Sequence, residues 1–149
     1  MRDYEWLRSR FEAIWTEYFP EINKPNKVLI VFKGRWKNKF GHIQQTPSKN
    51  TWIAVNSLFQ DERVPEYIIN LTIAHEIAHY AHGFQSPLEQ KYKYPHKGGV
   101  VEKELKKRGF GEDLIKEKLW FKKEWQELYH SYYPKKKRGF FLNRAFSFK

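Results

Sequence analysis

Two histidines and a glutamate are grouped in the stretch His75-Glu76-Ile77-Ala78-His79, which has the pattern His-Glu-x-x-His. On an α-helix, a separation of four residues turns the second histidine by about 40° from the first and raises it by roughly 6 Å. Both imidazoles then leave the same helix face, where they can converge on one divalent cation. The spacing therefore predicts a Zn²⁺ site with His75 and His79 as two of its ligands.

Glu76 follows the first histidine and lies at the edge of the same helix face. A carboxylate at this position takes a proton from a metal-activated water without filling the coordination sphere itself. The pattern predicts a zinc-dependent endopeptidase in which the activated water attacks a peptide carbonyl and Glu76 is the catalytic general base. The alternative is that these three residues are ordinary members of a helix. We disfavour it because a histidine-rich face without a partner costs stability.

A catalytic zinc ion needs a third protein ligand and one open position. His96 is the first candidate, because it follows Pro95 at the end of a loop and a short chain return brings it over the other two histidines. Glu102 is the second candidate and would complete a site of two histidines and one glutamate. His82 lies three residues past His79, but three ligands on one straight helix spread over about 10 Å. We expect His82 in the cleft wall or behind the ligands.

The helix that must carry the motif is predicted from Pro65 to about His82, with Gly83 as its C-terminal stop. Residues 4–19 have apolar side chains at spacings of three and four, which indicates an amphipathic N-terminal helix that Pro20 ends.

Three short segments have the composition of β-strands, namely residues 28–32, 40–45 and 51–55. Turn-forming residues separate the last two, so we expect a hairpin within a small mixed or antiparallel sheet. For the endopeptidase, we expect the protein or peptide substrate to pair with an exposed sheet edge, which we assign to residues 51–55.

Two further helices are predicted at the C-terminal side. Residues 97–108 indicate a short helix that begins beside His96, and residues 111–133 indicate a long one. The apolar side of the long helix comprises Leu114, Leu119, Trp120, Trp125 and Leu128. The expected fold class is α+β: a small zincin-like domain with an N-terminal helix, a three-stranded sheet, the motif-bearing helix and C-terminal helices.

Length and composition limit the classes of protein to consider. The 149 residues suffice for one domain, which we place at residues 1–133, and 40% hydrophobic residues suffice for its core. The absence of cysteine excludes disulfide frameworks, Cys-ligated zinc sites and thiol nucleophiles. No apolar run reaches the roughly 18 residues of a membrane span, and the N-terminus has no apolar signal region. We therefore expect a cytoplasmic protein with no membrane partner.

The net charge of +11 is concentrated at the C-terminus. Residues 134–149, a basic aromatic tail, carry six Lys or Arg and no acidic residue. One interpretation is a nucleic-acid contact, in which cations meet phosphates and four Phe rings stack on unpaired bases. The alternatives are an autoinhibitory or docking segment, and a segment whose rings complete the core. The candidate nucleic-acid-binding residues are Lys135, Lys136, Lys137, Arg138 and Arg144.

From about Phe32 to Gly109, the chain resembles the SprT-like family of zinc metalloproteases. The shared features are an aromatic and basic β region, an apolar helix ending in the His-Glu-x-x-His stretch, and a following segment led by His96. Two positions depart from the family: Lys97 stands where a glycine is usual, and Val100-Val101 occupy the region of an aromatic residue.

The resemblance implies three zinc ligands, a general base and hydrolysis of proteins, often proteins bound or crosslinked to DNA. The implied ligands are His75, His79 and His96, and the implied base is Glu76. The chain is also similar in size to minimal gluzincin-like peptidases, in which Glu102 would replace His96. A function from a different class stays open, namely a basic nucleic-acid-binding module with a structural or degenerate metal site.

Overall fold

The computed structural model describes residues 1–135 and confirms an α+β fold. A short 3₁₀ helix, Ser57–Gln60, precedes the motif-bearing helix, and a π-helical turn, Phe121–Trp125, joins the last two helices. In this part of the chain no helix is long and apolar enough to cross a membrane. The helices are α1 (Tyr4–Tyr18), α2 (Glu66–Ala81), α3 (Val100–Lys107), α4 (Gly111–Trp120) and α5 (Gln126–Tyr132), and the strands are β1 (Val28–Phe32), β2 (Gly41–Gln45) and β3 (Thr51–Val55).

The three strands form one mixed sheet in the order β1-β3-β2. β1 pairs with β3 in parallel, and β2 pairs with β3 in antiparallel orientation. The register aligns Ile30, Ile53 and Ile43 across the sheet, and all three are buried. They form part of the apolar core that the sheet shares with the helices.

The prediction that residues 51–55 form an open sheet edge is wrong, because β3 is the central strand. β3 pairs with β2 along one side and with β1 along the other, and β1 lies more than 20 residues earlier in the sequence. Strand order of this kind depends on a long-range pairing, so local composition does not reveal it. The edges of the sheet are β1 and β2.

The helix α2 is buried on nearly all sides. It packs against α1, α3, α4 and the sheet. On the α1 side, the Trp15 ring contacts Tyr80 edge-on at 5.2 Å between centroids, and Tyr80 Oη donates to Asn26 Oδ1 at 2.5 Å. Arg10 adds a hydrogen bond to Asn70 Oδ1 at 2.9 Å. A helix held from several directions has little freedom to shift its side chains.

The C-terminal end of α2 confirms the predicted stop. The helix ends at Ala81, and Gly83 follows with a φ of 78°, in the left-handed region that favours glycine. A Cβ atom on Gly83 would lie 2.2 Å from the main-chain oxygen of Glu89. The chain therefore turns away sharply after the motif and returns beside it.

Two expectations about the C-terminal helices need correction. The helix α3 begins at Val100 rather than at residue 97, so His96 lies in a turn before it. The run from α4 to α5 buries Leu114, Trp120 and neighbouring apolar residues as expected, but Leu119 is 66% exposed. Leu119 is about 100° around the helix from Trp120 and therefore falls outside the buried stripe.

Candidate active site

The first two predicted metal ligands lie together on α2. The imidazole rings of His75 and His79 are 4.9 Å apart between centroids, at an interplanar angle of 73°. This proximity follows from the four-residue spacing, which places both side chains on one helix face. His79 is 2% exposed, and His75 is half-buried.

His96 comes to the same place from the loop that follows α2. Its ring lies 4.7 Å from that of His79 between centroids, although its side chain is exposed to solvent. The Phe84 ring contacts both imidazoles, at 5.3 Å from His79 and 5.2 Å from His96. Sequence spacing did not predict a role for Phe84. The only indication was its position directly after Gly83, the glycine that ends the helix.

The rival third ligand, Glu102, forms no hydrogen bond or ion pair with the histidines in the described residues, although its charge acts on His75. It is exposed on α3, and its Oε2 is 4.0 Å from Lys118 Nζ. The structure thus brings His96 to the histidine pair and directs Glu102 toward a lysine on α4.

The three histidines and Glu76 border one open cavity of about 660 Å³. Its opposite wall is the edge strand β2. His42 of this strand also borders the cavity, and its Nδ1 accepts a hydrogen bond from Lys39 Nζ at 3.0 Å. Sequence spacing gave no reason to select His42. The lining residues are Lys39, Gly41, His42, Ile43, Gln44, His75, Glu76, His79, Phe84, Gln85 and His96.

Glu76 is the most unusual group of the site. Its side chain is 5% exposed, and within residues 1–135 its carboxylate has no hydrogen-bond or ion-pair partner. Burial raises the pKa of Glu76 to about 8, and the Lys39 ammonium opposes this rise only in part. A carboxyl group that is largely buried and meets solvent only where it borders a cavity is costly to ionise. A divalent cation beside it would favour the ionised form.

The two helical histidines are uncharged at neutral pH. Burial lowers the pKa of His75 to about 4 and that of His79 to about 3, and repulsion from neighbouring imidazoles adds to both shifts. Neutral imidazole is the form that binds a metal ion. Protons therefore do not compete with a metal for these nitrogens near pH 7.

The candidate ligands are of a residue type that binds zinc. Three imidazoles with one open position are a ligand set of catalytic zinc. In addition, His79 Nδ1 is buried and has no hydrogen-bond partner in the described part of the chain. Among residues 1–135, no three donor side chains are arranged as a ready-formed metal site. Two of the candidate ligands thus lie together, and the exposed His96 side chain would have to turn toward them to complete a site.

Gly41, at the start of β2, allows the close approach of strand and helix. A Cβ atom at this position would lie 2.8 Å from Glu76 Oε2 and 2.9 Å from Thr72 Cγ2. The main chain of β2 therefore reaches the carboxylate only because this residue has no side chain. A glycine at a strand end was the only sequence signal for this contact.

Of the two expected positions of His82, in the cleft wall or behind the ligands, the first is wrong, because His82 does not line the cavity. It is buried, its Nε2 lies 3.0 Å from Glu104 Oε1, and its ring packs against Tyr92. Arg108 binds the other oxygen of Glu104 at 2.7 Å. His82 thus joins the end of α2 to α3 through Glu104, and it lies about 10 Å along the helix from His75.

Most of the predicted nucleic-acid-binding residues lie outside the described residues. Lys135 is described and is exposed. Lys136, Lys137, Arg138 and Arg144 lie beyond it, as do the four phenylalanines of the tail. The nucleic-acid contact stays a prediction.

Comparison with known proteins adds no relative. The chain matches no protein-family model, no curated protein and no solved structure.

Proposed function

We propose that this protein is a zinc-dependent endopeptidase of the SprT-like kind. The observation that carries the proposal is the environment of Glu76, a buried carboxyl group without a polar partner in the described residues. It opens into the same cavity as three imidazoles, and two of these are kept neutral by burial. Perturbed titratable groups that converge in one cleft are typical of active sites.

In the proposed mechanism, His75, His79 and His96 hold the metal ion. Zinc, when bound there, supplies a Lewis acid that activates water and polarises the peptide carbonyl. Glu76 accepts a proton from the attacking water and later delivers it to the leaving amine. Burial of Glu76 favours its protonated form and a bound cation would favour its ionised form, and the two steps need one form each.

The edge strand β2 is the natural place for the substrate main chain, in place of β3. Along an antiparallel pair, alternate residues direct their main-chain groups to opposite sides. At Gln45, the outward N–H donates to Gln85 Oε1 at 2.8 Å. By the same alternation, Gly41 and Ile43 point their main-chain groups away from β3 at the edge that borders the cavity. An extended peptide would pair there by strand addition.

The nature of the protein substrate follows from the resemblance and from the charge. The resemblance implies hydrolysis of proteins, often proteins bound or crosslinked to DNA, and a chain of net charge +11 is attracted to polyanions. This substrate class is part of the proposal.

The test is the substitution Glu76→Gln, which keeps size and shape but removes the base. We expect the variant to bind zinc as the unmodified chain does and to lose peptidase activity by at least about a hundredfold. Metal content is measured by mass spectrometry, and activity by casein digestion with and without a chelator. The matched control is Glu112→Gln, which removes an exposed charge on α4.

Equal activity of the Glu76→Gln variant and the unmodified chain would contradict the assignment. Zinc binding without any proteolysis by the unmodified chain would instead favour the alternative, a nucleic-acid-binding module with a structural metal site.

A further inference from the structure

A second cavity, of about 280 Å³, adjoins the candidate active site and also borders His75 and Glu76. It lies between α2, α4 and the residues that lead into β2. Its walls are largely apolar and include Leu71, Leu114 and Phe121. A substrate side chain next to the peptide bond at Glu76 would have direct access to this space.

One charged group from α4, Glu117, stands in the wall of this second cavity. Within residues 1–135, its carboxylate forms no hydrogen bond and no ion pair. Burial raises the pKa of Glu117 to about 7, repulsion from Glu102 adds to the shift, and attraction to Lys118, which does not line the cavity, opposes it. The ionised form of such a half-buried carboxylate would be stabilised by a cation that enters the cavity as part of a ligand.

In the described part of the chain, the lining of the second cavity contains one lysine or arginine side chain, Lys39, and this side chain binds His42 rather than Glu117. Its ammonium group donates to His42 Nδ1 at 3.0 Å, and His42 does not border the second cavity. Lys39 is also exposed and forms no ion pair with Glu117. The apolar walls and Glu117 therefore form a pocket in which no cation of residues 1–135 pairs directly with the carboxylate.

We propose that the second cavity receives a lysine or arginine side chain of the substrate. Its aliphatic stem packs against Leu71, Leu114 and Phe121, and its charged end pairs with Glu117. Long basic side chains commonly bury their stems while the charged end finds a polar partner. The proposal rests on the proposed function, since it names the residue that the peptidase prefers beside the cleaved bond.

The first experiment measures binding and does not depend on turnover. The full chain carrying Glu76→Gln is titrated with alanine–glycine peptides that contain one lysine, one norleucine or one glutamate. Such a host peptide binds in any register, so the single large side chain selects its own pocket. We expect the lysine peptide to bind about tenfold to hundredfold more tightly than the norleucine peptide, the range for a hydrogen bond to a charged group.

The matched variants add Glu117→Gln or Glu112→Gln to the same protein. We expect Glu117→Gln to abolish the difference between lysine and norleucine while it leaves norleucine binding unchanged, which also shows that the pocket is intact. Glu112→Gln, on the exposed side of α4, should keep the difference. Equal binding of lysine and norleucine peptides, a preference that survives Glu117→Gln, or no binding of any peptide would each overturn the proposal.

The second experiment separates this proposal from the proposed function. The zinc-loaded unmodified chain digests a mixed peptide library, and the cleaved bonds are identified by mass spectrometry. Enrichment of lysine and arginine at one flanking position supports the pocket, and cleavage without such enrichment refutes it while the endopeptidase stands. Lysine-selective binding without any cleavage has the opposite meaning, because the pocket is then supported and the peptidase is not.

Discussion

The α2 helix and the loop that follows it contribute to the same cavity in different ways. On α2, His79 is 2% exposed and Glu76 5%, and the helix is packed against three other helices and the sheet. In the loop, His96 is exposed and lies in a turn between the half-buried Pro95 and the exposed Lys97. The helix therefore fixes its two candidate ligands in advance, whereas the loop offers a candidate ligand whose side chain can adjust.

The difference teaches which part of the site is preorganised. A ligand held by a packed helix loses little side-chain freedom on metal binding, but an exposed ligand loses its rotamer freedom at that moment. Most of the zinc affinity should therefore come from the helical pair, and a smaller part from His96.

The largest expected effect is that of His79→Ala. Removal of this buried ligand leaves one helical imidazole, so we expect zinc affinity to fall by well over about a hundredfold, beyond the loss typical of an outer-shell partner. Peptidase activity should vanish with it. Competition with a zinc-sensing dye measures the affinity, and circular dichroism confirms that the variant is folded. A His79→Ala protein that binds zinc as tightly as the unmodified chain would contradict the role of the helix.

A smaller effect is expected for His96→Ala. Because this ligand is exposed and must be ordered, we expect zinc affinity to fall by about tenfold to hundredfold, less than for His79→Ala. The same dye assay measures it. Glu102→Gln is the matched comparison and should change affinity little, since Glu102 lies near Lys118. A larger loss for Glu102→Gln than for His96→Ala would reverse the choice of third ligand.

The smallest of these effects is expected for Gly41→Ala, which tests the packed side of the site. The added methyl group would meet Glu76 Oε2 at 2.8 Å and Thr72 Cγ2 at 2.9 Å, so the carboxylate must move to make room. Since a misplacement of about 1 Å costs roughly a hundredfold in rate, we expect about a tenfold loss of turnover with unchanged zinc affinity. Steady-state kinetics and the dye assay measure the two quantities. Unchanged turnover would show that Glu76 has room to move.

The sequence allowed the motif-bearing helix to be predicted well. Its apolar residues, the proline before it and Gly83 after it are local signals, and the observed α2, Glu66–Ala81, lies within the predicted range. The pairing of His75 with His79 was equally predictable, because it follows from helix geometry alone. The central position of β3 in the sheet could not be predicted, because it depends on pairing with β1, which is far away in the sequence.

The site residues that sequence spacing did not predict all lie on elements other than α2. Gly41 and His42 arrive on β2, Phe84 from the turn after α2, and Glu117 from α4. None has a spacing relation to the motif, so only packing could place it there. The expected start of α3 beside His96 failed for a related reason, because the chain needs a turn there to bring His96 back to His79.

The sequence by itself determined an α+β domain with two imidazoles and a carboxylate on one helix face, since helical periodicity is a local property of the chain. Only the tertiary structure decided which strand is the open edge, that His96 rather than Glu102 lies beside the histidine pair, and that a second cavity with Glu117 adjoins Glu76. These features depend on contacts between residues far apart in sequence, which arise when the core packs.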